Sequence, residues 1–236
     1  MAIYYVKSTG GSDSNDGLSV ANAWATIGHA TINAYISTEE TEIRILKDGT
    51  HLPTGTITLP YASTGSKTQL LVGADTSGNR LTDGSHVIIS GASITTPAGK
   101  PIIETTNATG TAYLHFRNLR FTACAAEALA FTKQAVINAA HCRFDNSQNG
   151  VKINAQDNGC DSGYLYGVNC EFDNNTVSGI AYNACNRGIW KLYGCRIHNN
   201  GSHGIYNRTD VQIIHCLIYS NGGGGVSTGS SANTVS

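Results

Sequence analysis

The second half of the chain alternates short apolar stretches with polar turns, and one local pattern returns four times. Each copy begins at a cysteine, has an apolar residue two positions later, and reaches an Asn soon afterwards. The four repeat cysteines lie 21 to 28 residues apart and are Cys142, Cys170, Cys195 and Cys216. One repeat earlier, Leu119 takes the same position. An imperfect repeat of this length, rich in strand formers and in Asn and Gly turns, predicts a solenoid of stacked coils.

Three columns of apolar residues recur at fixed offsets from this repeat position. The first lies three and five residues before it: Leu114, Phe116, Ile137, Ala139, Leu165, Gly167, Trp190, Leu192, Val211 and Ile213. The second lies two residues after it: Phe121, Phe144, Phe172, Ile197 and Ile218. The third follows the next turn: Leu129, Val151, Ile180, Ile205 and Val226. Because side chains alternate between the faces of a strand, each column is expected to point inward.

These columns predict an all-β fold, a single-stranded parallel β-helix with three short strands per coil. Parallel crossovers are overwhelmingly right-handed, so a right-handed β-helix is expected. A stacked Asn ladder is predicted at the second corner of each coil, formed by Asn146, Asn174 and Asn199 with Ser220 in line, because Asn accepts the left-handed backbone of a tight turn.

The chain is predicted to divide at residue 41. Residues 1–41 are an N-terminal segment with a capping helix, in which Trp24, Ile27, Thr31 and Ala34 stand at helical spacing within Asn22–Ile36. Residues 42–236 form the β-helix, whose earlier strands are Glu42–Leu46, Gln69–Val72 and Val87–Ile89. No capping helix follows Val226, so a partner subunit, a further domain or a tail is expected to cover the C-terminal end.

The seven cysteines lack the Cys-x-x-Cys spacing of a zinc site. The repeat cysteines are therefore interpreted as small buried side chains stacked inside the coil, with a metal site or disulfides as the alternative. Cys124, Cys160 and Cys185 lie outside the stack, the last two in loops.

The composition argues against some classes of binding partner. Only 13% of residues are charged and the net charge is −1, which argues against nucleic acid and against an acidic membrane surface. No apolar run is long enough to span a membrane. The N-terminus lacks the pattern of a signal peptide, so the chain is expected to work where it is made, to leave by lysis or a special route, or to have lost its signal.

The outward side of the first strand column carries the candidate chemistry. The predicted substrate-binding residues are His115, Arg117, Tyr166, Lys191 and Tyr193. Lys191 lies between Tyr166 and Tyr193, where it could hold a sugar or act as a catalytic base. An ordinary polar and aromatic strand face is the alternative.

Acidic side chains are the other candidates for chemistry. Asp145 and Asp173 are interpreted as solvated corner residues, and Asp157 and Asp161 form a pair in a long loop. Metal candidates are Asp13, Asn15 and Asp16, but Asp16 and Gly17 come one residue too early for an EF-hand, so a turn leading into the capping helix is the favoured interpretation.

The segment Tyr4–Ser19, with Ala23–Ile27 and Glu42–Thr50, resembles the pectate-lyase-like right-handed β-helix superfamily. The resemblance covers essentially the whole chain and implies the fold. The superfamily includes polysaccharide lyases, glycoside hydrolases, epimerases, adhesins and phage tailspikes, so it does not choose a function. The paired-Asp motif of its hydrolases and the Asp-Pro-His motif of its epimerases are not found in this sequence.

The expected function is that of a virion-type or cell-surface β-helix, similar to a phage tailspike or fibre, which recognises a glycan or another partner. It is expected to be a homo-oligomer, a trimer by that resemblance, or to carry a further C-terminal domain, and to be located in a virion or outside the cell after lysis. No cofactor is expected. The alternative is a polysaccharide lyase or glycoside hydrolase acting on an acidic polysaccharide, with Ca²⁺ as the candidate cofactor if it is a lyase.

Overall fold

A computed structural model describes residues 1–35, 40–59, 68–94, 100–105, 112–131, 135–153, 163–182, 188–207 and 210–228. Cys160, Cys185, Asp157 and Asp161 lie outside these residues. In the part of the chain so described, no helix is long and apolar enough to cross a membrane.

The chain is built almost entirely from short strands. In order, the elements are β1 (Ala2–Val6), α1 (Ile27–Tyr35), β2 (Thr41–Leu46), β3 (Ile57–Leu59), β4 (Thr68–Ala74), β5 (Val87–Ser90), a 3₁₀ turn (Gly91–Ser93), β6 (Ile103–Thr105), β7 (Ala112–Arg117), β8 (Leu119–Thr122), β9 (Leu129–Phe131), β10 (Ala135–Ala140), β11 (Arg143–Asp145), β12 (Asn149–Ile153), β13 (Gly163–Val168), β14 (Glu171–Asp173), β15 (Ser178–Tyr182), β16 (Gly188–Tyr193), β17 (Arg196–His198), β18 (His203–Asn207), β19 (Asp210–Ile214), β20 (Leu217–Tyr219) and β21 (Gly224–Thr228).

The strands form three sheets, in which the named strand pairs are all parallel. Sheet A has the order β1-β2-β4-β7-β10-β13-β16-β19, sheet B the order β5-β8-β11-β14-β17-β20, and sheet C the order β3-β6-β9-β12-β15-β18-β21. From β4 onward, successive strands visit A, B and C in turn, which gives six complete coils. The predicted parallel β-helix with three strands per coil is confirmed. The N-terminal segment also contributes to it, because β1 pairs with β2 in sheet A.

The three predicted apolar columns are confirmed as register columns inside the coil. Val151 pairs with Ile180, which pairs in turn with Ile205, and all three side chains are fully buried. In sheet B the Phe144 ring stacks between those of Phe121 and Phe172, with centroids 5.4 and 5.0 Å apart. Like side chains therefore lie on like side chains from coil to coil, and the stack forms one continuous core.

The repeat cysteines lie at the corner between sheets A and B as free thiols. Cys142, Cys170 and Cys195 are at most 2% exposed, while Cys216 in the last coil is partly exposed. Burial raises the pKa of the Cys170 thiol, and the adjacent Cys170 together with burial raises that of Cys195. These thiols are neutral and poorly reactive, so the interpretation of a buried stack is confirmed for them.

Five of the six strands of sheet B, β8 to β20, are each followed by a residue with left-handed backbone. These residues are Ala123, Asn146, Asn174, Asn199 and Ser220, with φ between 50° and 57°. The predicted place of the last four at the corner is confirmed, but they are not the stacked ladder, because Asn146, Asn174 and Asn199 are exposed. Side chains one position later form it.

The ladder consists of Asn175, Asn200 and Asn221. The amide of Asn175 donates to Oδ1 of Asn200 at 3.0 Å, and Asn200 donates to Oδ1 of Asn221 at 2.9 Å. Asn175 and Asn200 also donate to the carbonyl oxygens of Phe144 and Phe172 in the preceding coil, both at 3.1 Å. Because Asn175 and Asn200 are at most 2% exposed, the prediction that placed the ladder at Asn146, Asn174 and Asn199 was wrong by one residue.

The capping helix is shorter than predicted. It begins at Ile27 rather than near Asn22, because Thr26 caps it: the Thr26 hydroxyl accepts the backbone N–H of His29 at 3.2 Å. Trp24 precedes the helix in a bridge to Val6, where its ring stacks on Tyr4 at 5.0 Å. Helix α1 packs against β1, β2 and β3 and closes the N-terminal end of the core.

The last coil is less buried than the others. Leu217 is 61% exposed and Tyr219 is 42% exposed, and Ile218 and Val226 are only partly buried. Within the described residues, β19, β20 and β21 each have a paired strand on one side alone.

A charge placed in an inward column should prevent folding. We expect Ile180→Lys to abolish the cooperative melting transition in circular dichroism. Burying an unpaired charge costs several kcal/mol, which is a large part of the free energy of unfolding of a domain. The control is Tyr206→Lys, at a half-buried outward position on the neighbouring strand, which should melt cooperatively. A normal transition for Ile180→Lys would show that the assigned register is incorrect.

The two Asn positions at the corner should respond differently. Asn200→Ala leaves the buried donors of Asn175 without their acceptor and should lower the free energy of unfolding by about 2–3 kcal/mol, measured in urea. Asn199→Gly should change it by less than about 1 kcal/mol, because glycine readily adopts the left-handed backbone found there. Equal losses at both positions would contradict the assignment of the ladder.

Candidate functional site

The outward face of sheet A brings together three of the predicted binding residues. Tyr166 pairs with Lys191 across β13 and β16, and Tyr193 lies two residues further along β16 on the same face. The ring of Tyr166 lies parallel to that of Tyr164, with centroids 6.4 Å apart. Tyr193 is 40% exposed. We call Tyr164, Tyr166, Lys191 and Tyr193 the tyrosine face.

The other two predicted residues lie further along the same sheet. His115 belongs to the register row of Tyr166 and Lys191, and Arg117 to the row of Tyr193, but both are on β7. Three strand spacings of about 4.8 Å separate β7 from β16, so His115 and Arg117 lie roughly 14 Å from Lys191 and Tyr193. They extend the tyrosine face and do not form a single pocket with it.

His115 is held in place by its neighbour. Its Nε2 lies 3.2 Å from the side-chain amide of Asn138 on the adjacent strand. Burial lowers the pKa of His115, and the charge of Glu40 opposes this only in part. The ring is therefore neutral at neutral pH and offers a hydrogen-bonding group rather than a positive charge.

The N-terminal end of the same register row carries a buried ion-pair network. Glu42 is fully buried, and its Oε1 accepts hydrogen bonds at 2.8 Å from Nε of Arg44 and from Nε of Arg80. Burial alone would raise the pKa of Glu42, but hydrogen bonds and charge from Arg80 and Arg44 outweigh it and hold the pKa below its ordinary value. This carboxylate is committed to its two arginines.

Two further carboxylates lie on sheet B, where the sequence interpretation was wrong. Asp145 and Asp173 are fully buried rather than solvated. Arg120 contacts both oxygens of Asp145 with its Nε, each at 3.1 Å, and Arg143 pairs with Asp173 at 2.7 and 2.9 Å. Each arginine comes from the coil before its aspartate, so these pairs join adjacent coils.

The ion pairs continue toward the C-terminal end of sheet B. The Nε2 atom of His198 lies 2.9 Å from Oε1 of Glu171, and the His198 ring stacks on Tyr219 at 4.7 Å. Burial would raise the pKa of Glu171, but the hydrogen bond to His198 and the charges of Arg143 and Arg196 lower it overall.

The candidate metal residues serve the turn before α1. Oδ1 of Asp13 accepts the backbone N–H groups of Ala25 and Thr26, both at 2.9 Å. Asn15 donates to the carbonyl of Ala23 at 3.2 Å, and Asp16 accepts from the backbone of Leu18 at 3.0 Å. In the described residues, no group of three or more His, Cys, Asp or Glu side chains could hold a metal ion.

Comparison with known proteins shows similarity in structure but not in sequence families. No protein-family model and no curated protein matches the sequence. The crystal structure of pectate lyase Pel9A is similar over 94% of this chain, with a TM-score of 0.55 and 18% sequence identity. The chain has the pectate-lyase-like β-helix fold. It spans 55% of the length of that pectate lyase.

Within this pectate-lyase-like β-helix, two concave surfaces were not found from the sequence. One, of about 570 Å³, lies between α1 and residues 50–58 and is lined by Ile32, His51 and Leu52 among others. The other, of about 290 Å³, lies on the outward face of sheet C. The predicted third column already aligns Lys152, Ala181 and Tyr206, one residue after Val151, Ile180 and Ile205. The sequence did not predict that the row of Ser178 lines the same cavity.

Acid should weaken the Glu42 network of this β-helix. A folded-state pKa below the unfolded value means that the stabilisation is complete above the unfolded pKa of about 4.3 and is lost as pH falls through the lower folded value. We expect Glu42→Gln to reduce the free energy of unfolding by about 1.5–3 kcal/mol near pH 7, with a difference from the unsubstituted chain that shrinks below about pH 4.3.

The matched control is Glu40→Gln, at an exposed position two residues away, which should change the free energy of unfolding by less than about 0.5 kcal/mol near pH 7, where His115 is neutral. A Glu42→Gln difference that stays constant from neutral to acidic pH would contradict the role of the Glu42 charge.

Proposed function

We propose that this protein recognises an acidic polysaccharide through the tyrosine face of sheet A, without cleaving it. The observation that carries the proposal is the parallel pair of Tyr164 and Tyr166 rings with Lys191 in register beside Tyr166. Aromatic rings offer a sugar its apolar contact, and an ammonium group offers charge and hydrogen bonds to a uronate or sulfate.

The shape of sheet A suits an extended ligand. Its eight parallel strands repeat outward side chains at intervals of about 4.8 Å, so a chain lying across the strands meets one row after another. Arg117 and His115 lie further along the same face and extend the contact toward β7. Glu42, at the far end of the row, is paired with Arg44 and Arg80, so it offers little repulsion to an anionic chain.

The surroundings of Lys191 favour recognition over cleavage. Its register neighbours are Tyr166 and Gln212, and the nearest carboxylate on the described parts of the adjacent strands is Asp210, one outward position earlier on β19, opposite Ile189. A single carboxylate is fewer ligands than a protein Ca²⁺ site uses. The carboxylates Asp145 and Asp173 lie on sheet B and are already paired with arginines. Polysaccharide lyase activity with Lys191 as base is the second candidate, favoured by the position of Lys191 between two tyrosines.

We also propose where the protein acts. A rigid stack of coils that presents a long face suits the surface of a virion or a cell, as in a tailspike or fibre released by lysis. The exposed Leu217 and Tyr219 of the last coil support a further copy of the chain, in a homotrimer, or a further domain at that end.

Binding and turnover should be measured together on a panel of acidic and neutral polysaccharides, with and without calcium. We expect Tyr166→Ala and Lys191→Ala each to weaken binding roughly tenfold, with salt weakening binding of the unsubstituted chain and affecting Lys191→Ala less. Tyr219→Ala is the matched control, since Tyr219 is an exposed tyrosine on sheet B, and it should bind normally.

Other outcomes would each have a clear meaning. Unsaturated uronate products that disappear in Lys191→Ala would replace recognition by lyase activity. Unchanged binding of both tyrosine-face variants to a polysaccharide that the protein binds would remove this face as the site. Failure to bind any polysaccharide of the panel would contradict the proposed function.

A further inference from the structure

The cavity on sheet C is a slot between two strands that carry large side chains. Lys152 on β12, Ala181 on β15 and Tyr206 on β18 stand in register. Three residues earlier on each strand, Asn149 pairs with Ser178. The register between β15 and β18 places His203 opposite Ser178. The middle strand thus contributes only small side chains, while its two neighbours contribute long ones.

Both rows line the same cavity, although residues three apart on a regular strand face opposite sides. A glycine column at Gly150, Gly179 and Gly204 lies between the rows and breaks the alternation. A Cβ at Gly179 would lie 2.8 Å from the carbonyl oxygen of Gly204, so any larger residue is excluded there. The glycines thus turn Ser178 and Ala181 toward one side, and these residues form the floor of the slot.

One wall of the slot is aromatic. The rings of His203 and Tyr206 are nearly parallel, with centroids 5.6 Å apart and an interplanar angle of 12°. Gly223 leaves room for the His203 ring, because a Cβ at this position would lie only 2.8 Å from Cε1 of His203. The wall is therefore fixed by packing on both sides of the His203 ring.

The opposite wall is polar and has no net charge. Nζ of Lys152 donates to Oε1 of Glu127 at 2.7 Å, and the side-chain amide of Asn149 lies 3.5 Å from the same oxygen. Oδ1 of Asn149 accepts the backbone N–H of Ser178 at 3.2 Å, which fixes the Asn149 side chain. Lys152 and Asn149 therefore offer hydrogen-bonding groups to the slot, and the buried Glu127, which does not line it, cancels the charge of Lys152.

We propose that this slot binds a single uncharged pyranose ring. The walls stand two strand spacings apart, about 9.6 Å between backbones, and the volume of about 290 Å³ is at the lower end of the range for small-ligand sites. A pyranose presents apolar C–H groups, which suit the Tyr206 side, and hydroxyls that both donate and accept, which suit Lys152 and Asn149. The slot lies on a different sheet from the tyrosine face and does not depend on the function proposed for that face.

The test uses saturation-transfer NMR with methyl β-glucoside, methyl β-galactoside and methyl α-mannoside as probes, and sodium glucuronate as the charged comparison. We expect transfer to at least one neutral glycoside. Ala181→Leu fills the floor of the slot and should abolish the transfer, and Tyr206→Ala should weaken binding roughly tenfold. The matched control is Ala92→Leu, the same change at an exposed position of the 3₁₀ turn after β5, outside both candidate sites, which should bind as the unsubstituted chain does.

Every protein in this test also carries Tyr166→Ala, so that a sugar on the tyrosine face contributes little to the signal and each result bears on the slot. Loss of the signal in Ala181→Leu and a weaker signal in Tyr206→Ala, with cooperative melting retained in at least one of them and binding retained in Tyr166→Ala, would support the proposal. Transfer that is undiminished in both slot variants, or the absence of transfer from all three neutral glycosides, would overturn it. A stronger response from glucuronate than from every neutral glycoside would overturn the choice of an uncharged ring.

Discussion

In-register parallel pairing between successive coils is the constraint on which the rest of this structure depends. Because each coil lies directly on the one before, a side chain faces the residue at the same offset in its neighbours rather than a mixed environment. Aromatic rings therefore stack on aromatic rings at Phe121, Phe144 and Phe172, and thiols on thiols at Cys170 and Cys195. The core is a set of columns, and the sequence repeat is their consequence.

The same constraint operates on polar groups. The buried amide of Asn200 is acceptable because Asn175 and Asn221 satisfy it from the coils on either side. Asp145 and Asp173 are acceptable in full burial because arginines of the preceding coils reach them. Polar columns thus help to fix the register, since a slip between coils would leave every member of such a column without its partner.

The columns of apolar residues could be predicted from the sequence because period-two alternation and a repeated cysteine suffice to define them. The ladder could not be placed to the residue: Asn174 and Asn175 are adjacent and of one type, and only the backbone angle of Asn174 and the burial of Asn175 tell them apart. The burial of Asp145 could not be predicted, because its ion-pair partner Arg120 is 25 residues away in sequence.

The two candidate sites also differ in how far they can be predicted from the sequence. Tyr166 and Lys191 could be placed on one face from their offsets alone, since both stand four residues before a repeat cysteine. The alignment of Lys152, Ala181 and Tyr206 follows from the predicted column of Val151, Ile180 and Ile205. The slot also needs the break in side-chain alternation at Gly179, which period-two alternation does not predict.

The column arrangement also bears on how the length of such a protein changes. Insertion or loss of one whole coil between two existing coils keeps every column continuous, because the new coil meets the same offsets above and below. Insertion of one residue within a three-residue strand of sheet B, such as Glu171–Asp173, would turn Phe172 outward and break the aromatic column. Duplication of complete coils is therefore the route by which this architecture lengthens, and the rows of surface side chains on each sheet lengthen with it.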